Sequence, residues 1–189
     1  MGTLRIVAGE LRGRRIEVPP GSRVRPTPDR VREALFDILG HDLSGSRVLD
    51  ACAGTGALGL EALSRGAESV SFIEADRQVL SELRSNAEKL RIESRCRFVG
   101  GRAEVLIAAG AVGGPFELVL GDPPYAEPLG GPILEALLVA PGTLVLGARV
   151  VLERDARFPA ASASVASLPL VRTARYGRTC LDFYVYGRN

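Results

Sequence analysis

Residues 47–63 read RVLDACAGTGALGLEAL, an apolar strand-like segment that runs through spaced glycines into an apolar helix-like segment. Gly54, Gly56 and Gly59 have the G-x-G-x-x-G spacing of a dinucleotide-binding loop, but small residues are also common wherever a strand turns tightly into a helix. The stretch therefore predicts a strand, a tight turn and a helix, and it leaves the ligand of the loop open.

Apolar segments of strand length alternate with helical segments on either side of this loop. We expect strands at 47–51, 69–74, 95–99 and 116–121, and helices at about 57–65, 77–91 and 102–110. From residue 131 the pattern indicates two apolar helices interrupted by Pro141–Gly142, then strands at 149–155, 170–176 and 179–187, the last two as an antiparallel hairpin. The alternation predicts an α/β fold, a Rossmann-like parallel sheet with helices on both faces.

The N-terminal segment follows a different pattern. Residues 4–18 indicate two short strands around a polar turn, and a proline-rich connector follows them. A helix is expected from residue 27, where Thr27 is a candidate cap and Pro28 suits the first helical position. The predicted division is a β-hairpin extension with connector at 1–26 and a larger domain at 27–189.

Composition excludes several classes of protein. The 189 residues are 46% hydrophobic, enough for one sizeable core, and no apolar run suits a signal peptide or a membrane span, so a cytoplasmic protein is expected. Three distant cysteines fit neither a disulfide framework nor a close-spaced zinc site. His41 is the single histidine, which excludes a multi-histidine metal centre and argues against a Ser-His-Asp triad. We expect reduced thiols and no metal.

The charge is unevenly distributed. Residues 1–32 hold eight Arg against Glu10, Glu17 and Asp29, a net charge of +5, whereas the whole chain carries only +2. Such clustering is typical of a contact with a polyanion, and nucleic acid is the obvious candidate.

Acidic residues distinguish between the possible ligands of the glycine loop. Asp50, Glu74 and Asp122 end three predicted parallel strands, and such ends converge on one crevice. Asp50 would repel a pyrophosphate, but it suits the cationic ammonium and sulfonium groups of S-adenosylmethionine. Glu74 can accept both ribose hydroxyls, although it would serve a nicotinamide ribose equally well, and Asp76 competes for this role.

The tetrapeptide Asp122–Pro123–Pro124–Tyr125 at the same crevice predicts the chemistry. An exocyclic amine of a nucleobase is a weak nucleophile, because its lone pair is delocalised into the ring. Asp122 and the Pro123 carbonyl could accept hydrogen bonds from its two N–H protons, and the proline pair would fix these acceptors in place. Tyr125 could stack on a base that has left its helix. These four residues are the expected catalytic group.

With these motifs the chain resembles class I S-adenosylmethionine-dependent methyltransferases, and among them the bacterial 16S rRNA (guanine-N2)-methyltransferases. The resemblance is carried by RIVAGELRGRRIEVP, RPTPDRVREALFDIL, DACAGTGALGLEALSRGA, FIEAD, DPPY and YGRTCLDFYVY. It implies a seven-stranded sheet that ends in an antiparallel hairpin. It also implies a cofactor site formed by Asp50, Ala51, Gly54, Thr55, Gly56, Glu74, Ala75, Arg102, Ala103 and Asp122.

Two departures from the family pattern stand out. Arg102 occupies the place near the adenine where many relatives have an acid, so only the backbone of Arg102 and Ala103 is expected to contact that base. Tyr125 replaces the more frequent phenylalanine and preserves stacking. The implied substrate is a guanine of 16S rRNA, within an assembling 30S subunit, bound by a monomer. Phosphate contacts are expected from Arg5, Arg12, Arg14, Arg15, Arg23 and Arg25.

Three other functions compete with this interpretation. A DNA adenine-N6 methyltransferase would use the same tetrapeptide, although the chain has no room for an inserted recognition region. An RNA-binding assembly factor without activity would keep the fold, but Asp122 and the glycine loop are intact. A nicotinamide oxidoreductase conflicts with Asp50 and has no use for the proline pair.

Overall fold

A computed structural model describes residues 2–18, 27–124, 129–161 and 167–187. Tyr125, Arg23 and Arg25 therefore lie outside the described residues. The strands are β1 (Gly2–Arg5), β2 (Arg15–Val18), β3 (Arg47–Asp50), β4 (Ser69–Glu74), β5 (Cys96–Gly100), β6 (Phe116–Gly121), β7 (Leu144–Asp155), β8 (Leu170–Tyr176) and β9 (Thr179–Val185). The helices are α1 (Asp29–Leu39), α2 (Ala57–Ser64), α3 (Arg77–Leu90), α4 (Ala103–Ala108) and α5 (Gly130–Val139), with a short 3₁₀ turn at Glu93–Arg95.

Seven strands form one sheet in the order β5-β4-β3-β6-β7-β9-β8. The first five are parallel, whereas β9 runs antiparallel to both β7 and β8. This confirms the predicted Rossmann-like α/β fold and its terminal hairpin. Chain order diverges on either side of the β3–β6 pair, and in open α/β sheets a ligand crevice forms at the carboxyl ends of such a pair.

Apolar side chains cover both faces of the sheet. One core cluster joins α1, α2 and α3 to the sheet, and the other packs α4 and α5 against its opposite face. Every residue of α2 is buried, which explains why this helix shows no polar face in the sequence. Within the described ranges no helix is both long and apolar enough to cross a membrane.

The predicted second helix after Pro141–Gly142 is wrong. The turn ends α5, and β7 starts at Leu144 as the partner of Phe116. The pairing then jumps to Leu118 with Arg149, so β7 contains a bulge in which Leu146 is 81% exposed and Gly147 has a φ of +81°. This interruption hides the alternation of a strand, and an apolar stretch without a clear period cannot be assigned from sequence alone.

The sequence suggested Thr27 as the cap of α1, and this prediction is wrong. Pro28 occupies the N-cap position, and no side chain caps this helix. Val31, Leu35 and Leu39 are buried, and so is the charged Arg32. Its guanidinium donates to the backbone carbonyls of Thr27 (2.8 Å) and Arg5 (2.7 Å), which explains how a cation is accommodated in this face.

The N-terminal hairpin, β1 and β2 with their connecting turn, docks on α2 through a buried carboxylate. Glu61 accepts the backbone N–H groups of Val7 (2.8 Å) and Ala8 (3.0 Å) and pairs with Arg65 (2.9 Å). The Arg65 guanidinium lies 4.6 Å from the centre of the Phe36 ring on α1. One acid therefore holds the hairpin, α2 and, through Arg65, α1 together.

Replacing Glu61 should be costly, because it would leave a buried guanidinium and two backbone N–H groups without their acceptor. We expect Glu61→Ala to lower the free energy of unfolding by about 3 kcal/mol or more, measured by urea denaturation. The exposed Glu88 on α3 provides a matched control, whose alanine variant should stay within about 0.5 kcal/mol of the parent. A Glu61→Ala protein as stable as the control would contradict this account of hairpin docking.

Candidate functional site

The register of the sheet brings the predicted acids to one edge. Asp50 pairs with Phe72 on β4 and with Leu120 on β6. Glu74 and Asp122 lie two residues beyond those partners, on the strands flanking β3, and so occupy the same level above the sheet. Charges that surround the Cys52 thiol confirm this convergence: burial raises the pKa of Cys52, and Asp50, Glu74, Asp122 and Glu104 raise it further.

Asp50 is a buried carboxylate with one oxygen unsatisfied. Its Oδ2 accepts the Gly59 N–H at 2.9 Å, whereas no described residue bonds to its buried Oδ1. Burial raises the pKa of Asp50 to about 7, the Gly59 hydrogen bond opposes this effect, and the Glu74 charge adds to it. A buried acceptor without a donor is a place where a cationic or hydrogen-bonding ligand would be stabilised.

Glu74 ties the glycine loop to the start of α3. One carboxylate oxygen accepts the Gly54 N–H and the other accepts the Asp76 N–H, both at 2.8 Å. Each oxygen has a second lone pair, so the two predicted ribose contacts are compatible with these bonds. Asp76, the alternative ribose acceptor, caps α3 by accepting the N–H groups of Gln78 and Val79.

The glycines serve the packing of the loop. Gly54 and Gly56 have φ values of +52° and +81°, a conformation that favours glycine. A Cβ on Gly56 would lie 2.2 Å from Leu83 Cδ1, and one on Gly59 would lie 2.3 Å from the Phe72 ring. The missing Cβ of Gly56 therefore lets the loop lie against α3.

Asp122 lies beside a second acid that the sequence did not single out. The Thr27 hydroxyl is 3.2 Å from Asp122 Oδ2 and 3.0 Å from Glu153 Oε2, so one O–H group serves two carboxylates. Thr27 and Glu153 are both buried, and Asp122 is half-buried. Of the proline pair, Pro123 is buried and Pro124 is exposed.

The other predicted cofactor residues follow the carboxyl ends of β3, β4 and β5. Ala51 and Thr55 are buried in the loop, and the Ala51 N–H donates to the Leu120 carbonyl. Ala75 is exposed beside Glu74. At the start of α4 the Arg102 side chain pairs with Glu104 at 2.6 Å, and Ala103 is buried.

Sequence reasoning missed Thr27, Glu153, Glu104 and Cys52 as neighbours of the site. Glu153 could have been recognised from the sequence, since it follows the apolar run VVL and an acid that is buried there needs a partner. Thr27 had none that pointed here, because its position before a helix favours a capping role.

Two of the predicted RNA-binding arginines are engaged with other groups of the protein. Arg5 pairs with Asp29, and Arg14 donates to the Lys89 carbonyl at the end of α3. Arg12 and Arg15 are exposed and make no ion pair or hydrogen bond with described side chains. The hairpin turn that carries Arg12 bonds to Ser64 at the carboxyl end of α2, and this end lies at the sheet edge opposite Asp122.

Metal ligands do not cluster in the described ranges, where no group of three or more His, Cys, Asp or Glu side chains could hold an ion. The three cysteines are free thiols. What the crevice offers is an array of carboxylates and backbone groups.

Comparison with known proteins identifies relatives. Ribosomal RNA small subunit methyltransferase D of Escherichia coli is 42% identical over 128 residues, which cover 68% of this chain and 63% of that protein. The protein of the same name from Haemophilus influenzae is 39% identical over 125 residues, covering 66% and 65%. The matched segments therefore span a little less than two thirds of these relatives.

Solved structures agree with the fold. The Escherichia coli protein yhhF, described as a candidate methyltransferase, matches with a TM-score of 0.86 and 34% identity and covers 99% of this chain and 100% of that one. An RNA methyltransferase from Salinibacter ruber in complex with S-adenosyl-L-homocysteine shares the fold at a TM-score of 0.65 and 18% identity, covering 87% and 95%.

The family assignment rests on a match along nearly the whole chain. The family model described as "Conserved hypothetical protein 95" matches residues 4–185. Three relatives that are 42%, 39% and 38% identical carry the name ribosomal RNA small subunit methyltransferase D. The chain therefore belongs to the family described as Conserved hypothetical protein 95, that of the ribosomal RNA small subunit methyltransferase D proteins, within the S-adenosylmethionine-dependent methyltransferases.

Proposed function

We propose that this protein transfers a methyl group from S-adenosylmethionine to the N2 amine of a guanine in 16S rRNA, acting as a monomer on assembling 30S subunits. The observation that carries the proposal is the position of Asp122, level with Glu74 and facing the same crevice as the unsatisfied oxygen of Asp50. A cofactor cation and a target amine would meet there. The names of the relatives support rRNA as the substrate.

The residues of the crevice fit the cofactor. Bound S-adenosylmethionine would supply an electrophilic methyl group on a sulfonium centre. Asp50 Oδ1 would accept a hydrogen bond from the ammonium group, and Glu74 would accept the ribose hydroxyls with its remaining lone pairs. The negative charge of these two acids suits a cation and opposes a pyrophosphate. The backbone of Arg102 and Ala103 would border the adenine.

Asp122 would prepare the amine for attack. Its carboxylate would accept a hydrogen bond from one amine N–H and the Pro123 carbonyl would accept one from the other, which orients the nitrogen lone pair toward the methyl group. As the N–C bond forms and the C–S bond breaks, the amine would lose one of its two protons and keep the other. The Thr27 hydroxyl holds Asp122 from one side, so the acceptor is positioned before the substrate arrives. Tyr125, outside the described residues, is proposed to stack on the extruded base.

The exposed arginines of the N-terminal hairpin would contact rRNA phosphates. Arg12 and Arg15 are the described members of this group that are not engaged with other side chains or carbonyls. Such contacts add affinity that falls with salt, and they carry little sequence information. Recognition of the target would then depend on the shape of the RNA.

Transfer of labelled methyl groups tests the proposal directly. The protein is incubated with labelled S-adenosylmethionine and either naked 16S rRNA or 30S particles from cells that lack the modification, and the labelled nucleotide is mapped. We expect label on one guanine, with N2-methylguanine as the product. Label on an adenine, or in DNA only, would overturn the proposed substrate, and no label in any nucleic acid would overturn the proposed activity.

Asp122 can be tested by substitution. We expect Asp122→Ala to reduce the rate of methyl transfer at least about 100-fold, because an acceptor aimed at developing positive charge is lost. Binding of S-adenosylhomocysteine, measured by calorimetry, should weaken far less than the rate of transfer falls. Asp37→Asn, at an exposed position of α1, is the control and should keep the parental rate. Activity of Asp122→Ala within tenfold of the parent would refute this role.

The raised pKa of Asp50 predicts a pH dependence of cofactor binding. The pKa is raised from 3.8 to about 7, so the ionised form is disfavoured in the fold and lowers the stability of the protein as pH rises through this range. A cationic ligand favours the ionised form. The affinity for S-adenosylhomocysteine should therefore fall about tenfold between pH 8 and pH 6.

The Asp50→Asn variant separates this effect from titration of the ligand. Its affinity should be lower at pH 8 and should vary much less with pH, since the group that titrates is gone. Equal pH dependence in parent and variant would show that Asp50 is not the group responsible.

The hairpin arginines predict a salt effect. In the Arg12→Ala/Arg15→Ala variant, the slope of log Kd for 16S rRNA against log salt concentration should become shallower by about 1.5, with unchanged S-adenosylhomocysteine affinity. The control is Arg84→Ala/Arg97→Ala, which removes the same charge from α3 and the start of β5. Identical slopes for both double variants would contradict a specific role of the hairpin.

A further inference from the structure

A buried carboxylate at the end of β7 holds two exposed arginines. Asp155 accepts the backbone N–H, Nε and Nη2 of Arg157 (2.9, 3.0 and 3.0 Å) and Nη2 of Arg178 (2.9 Å). The Arg157 hydrogen bonds, with help from Arg178, hold the pKa of Asp155 well below its usual range. The two arginine side chains are still 67% and 64% exposed. Asp155 thus orients two cations toward solvent.

The surrounding segment carries an excess of positive charge. Residues 154–182 contain five Arg, two Asp, and neither Lys nor Glu, a net charge of +3. Both aspartates are buried, and Asp182 is engaged with Arg154 and Thr173. Solvent therefore meets the arginines and not the acids. Guanidinium groups of this kind suit phosphate, because their planar fork matches its oxygens.

An exposed aromatic ring lies among these arginines. Phe158 is 49% exposed, and it is the one aromatic among the large exposed hydrophobic side chains of the described residues. Its carbonyl accepts a hydrogen bond from Arg154 Nη1 at 2.6 Å, and its ring centre is 5.9 Å from the Arg157 guanidinium. Arginines interleaved with an exposed ring are typical of surfaces that bind single-stranded nucleic acid.

This surface lies on the same sheet edge as Asp122. Gly121 pairs with Leu152, so Asp155 stands three residues beyond that level on the next strand. Asp155 pairs with Thr179, which places Arg178 at the same edge, one strand further. With strands about 4.8 Å apart and a rise of about 3.3 Å per residue, the two arginines lie roughly 15 Å from Asp122. The hairpin turn with Arg12, in contrast, lies at the opposite edge.

We propose that Arg157, Arg178 and Phe158 form a binding surface for the RNA strand that flanks the target nucleotide, with the arginines on its phosphates and the ring on an unstacked base. The inference rests on the proposed function, since it takes RNA as the substrate. An extruded base in the crevice leaves its neighbours on the rim of the site. On the side of β7 and β9, that rim is formed by Arg157, Arg178 and Phe158.

The test measures RNA binding by the full chain, separately from catalysis. The probe is 16S rRNA transcribed in vitro, and its Kd is measured over a range of KCl concentrations. For Arg157→Ala/Arg178→Ala we expect about tenfold weaker binding at 100 mM KCl and a slope of log Kd on log salt that is shallower by about 1.5. Arg84→Ala/Arg97→Ala, which removes the same charge elsewhere, should lose much less affinity.

A second variant covers the case in which loss of both arginines destabilises the protein by leaving Asp155 unpaired. Phe158→Ala removes only an exposed ring, and we expect about fivefold or greater loss of affinity with an unchanged salt slope, the signature of lost stacking. Parental affinity of Phe158→Ala, together with parental slope in any folded arginine variant, would overturn the proposal. Poly-glutamate can also be added as a competitor of the labelled RNA. If it displaces that RNA from the parent protein as effectively as unlabelled RNA does, the proposal is overturned in favour of an acidic protein partner.

The outcome is distinguishable from failure of the proposed function. Each variant is first checked for parental affinity for S-adenosylhomocysteine. If the parent protein binds 16S rRNA but methylates no guanine, the proposed reaction is wrong while the binding surface can still be confirmed. If methylation occurs and these variants bind RNA as the parent does, the surface is wrong and the reaction stands.

Discussion

The parallel register of the sheet brings several carboxylates into one small region, where their negative charges repel each other. Hydrogen-bond donors reduce this repulsion, and their positions explain much of the site. Asp50 and Glu74 end their strands, Asp122 follows β6 and Glu153 lies near the end of β7, all at nearly the same level. Asp50 has the Gly59 N–H as donor, Glu74 has the Gly54 and Asp76 N–H groups, and Asp122 and Glu153 share the Thr27 hydroxyl. These donors leave the crevice negatively charged, which selects a cationic ligand.

The sequence allowed the sheet and the glycine loop to be predicted because period and spacing are local properties. The alternation of strands and helices, the terminal hairpin and the acids at strand ends could all be read from these local patterns. Thr27 could not be assigned, since its hydroxyl bonds to residues 95 and 126 positions away, and a cap is the local alternative. The bulge in β7 was missed for a similar reason, because only the pairing with β6 shows that Leu144 belongs to a strand.

Charge sums were informative in one region and misleading in another. Residues 33–189 carry a net charge of −3, so only the N-terminal segment stands out as basic when the charges are summed. That sum conceals the +3 of residues 154–182, whose two acids are buried. Burial decides which charges a partner meets, and composition does not record burial. The molecule thus combines an acidic crevice with basic surfaces around it, an arrangement suited to a polyanion that must deliver one base to a cationic cofactor.

Arg32 gives the N-terminal hairpin a consequence for experimental design. Its buried guanidinium spans the Arg5 carbonyl in the hairpin and the Thr27 carbonyl beside Asp122. A truncated protein that begins after the hairpin would lose one acceptor of this cation and loosen the segment that holds Asp122. Reduced activity after such a truncation would then report damage around Asp122 as much as loss of the proposed RNA contacts. Surface substitutions that keep the backbone of residues 2–18 intact separate the two effects.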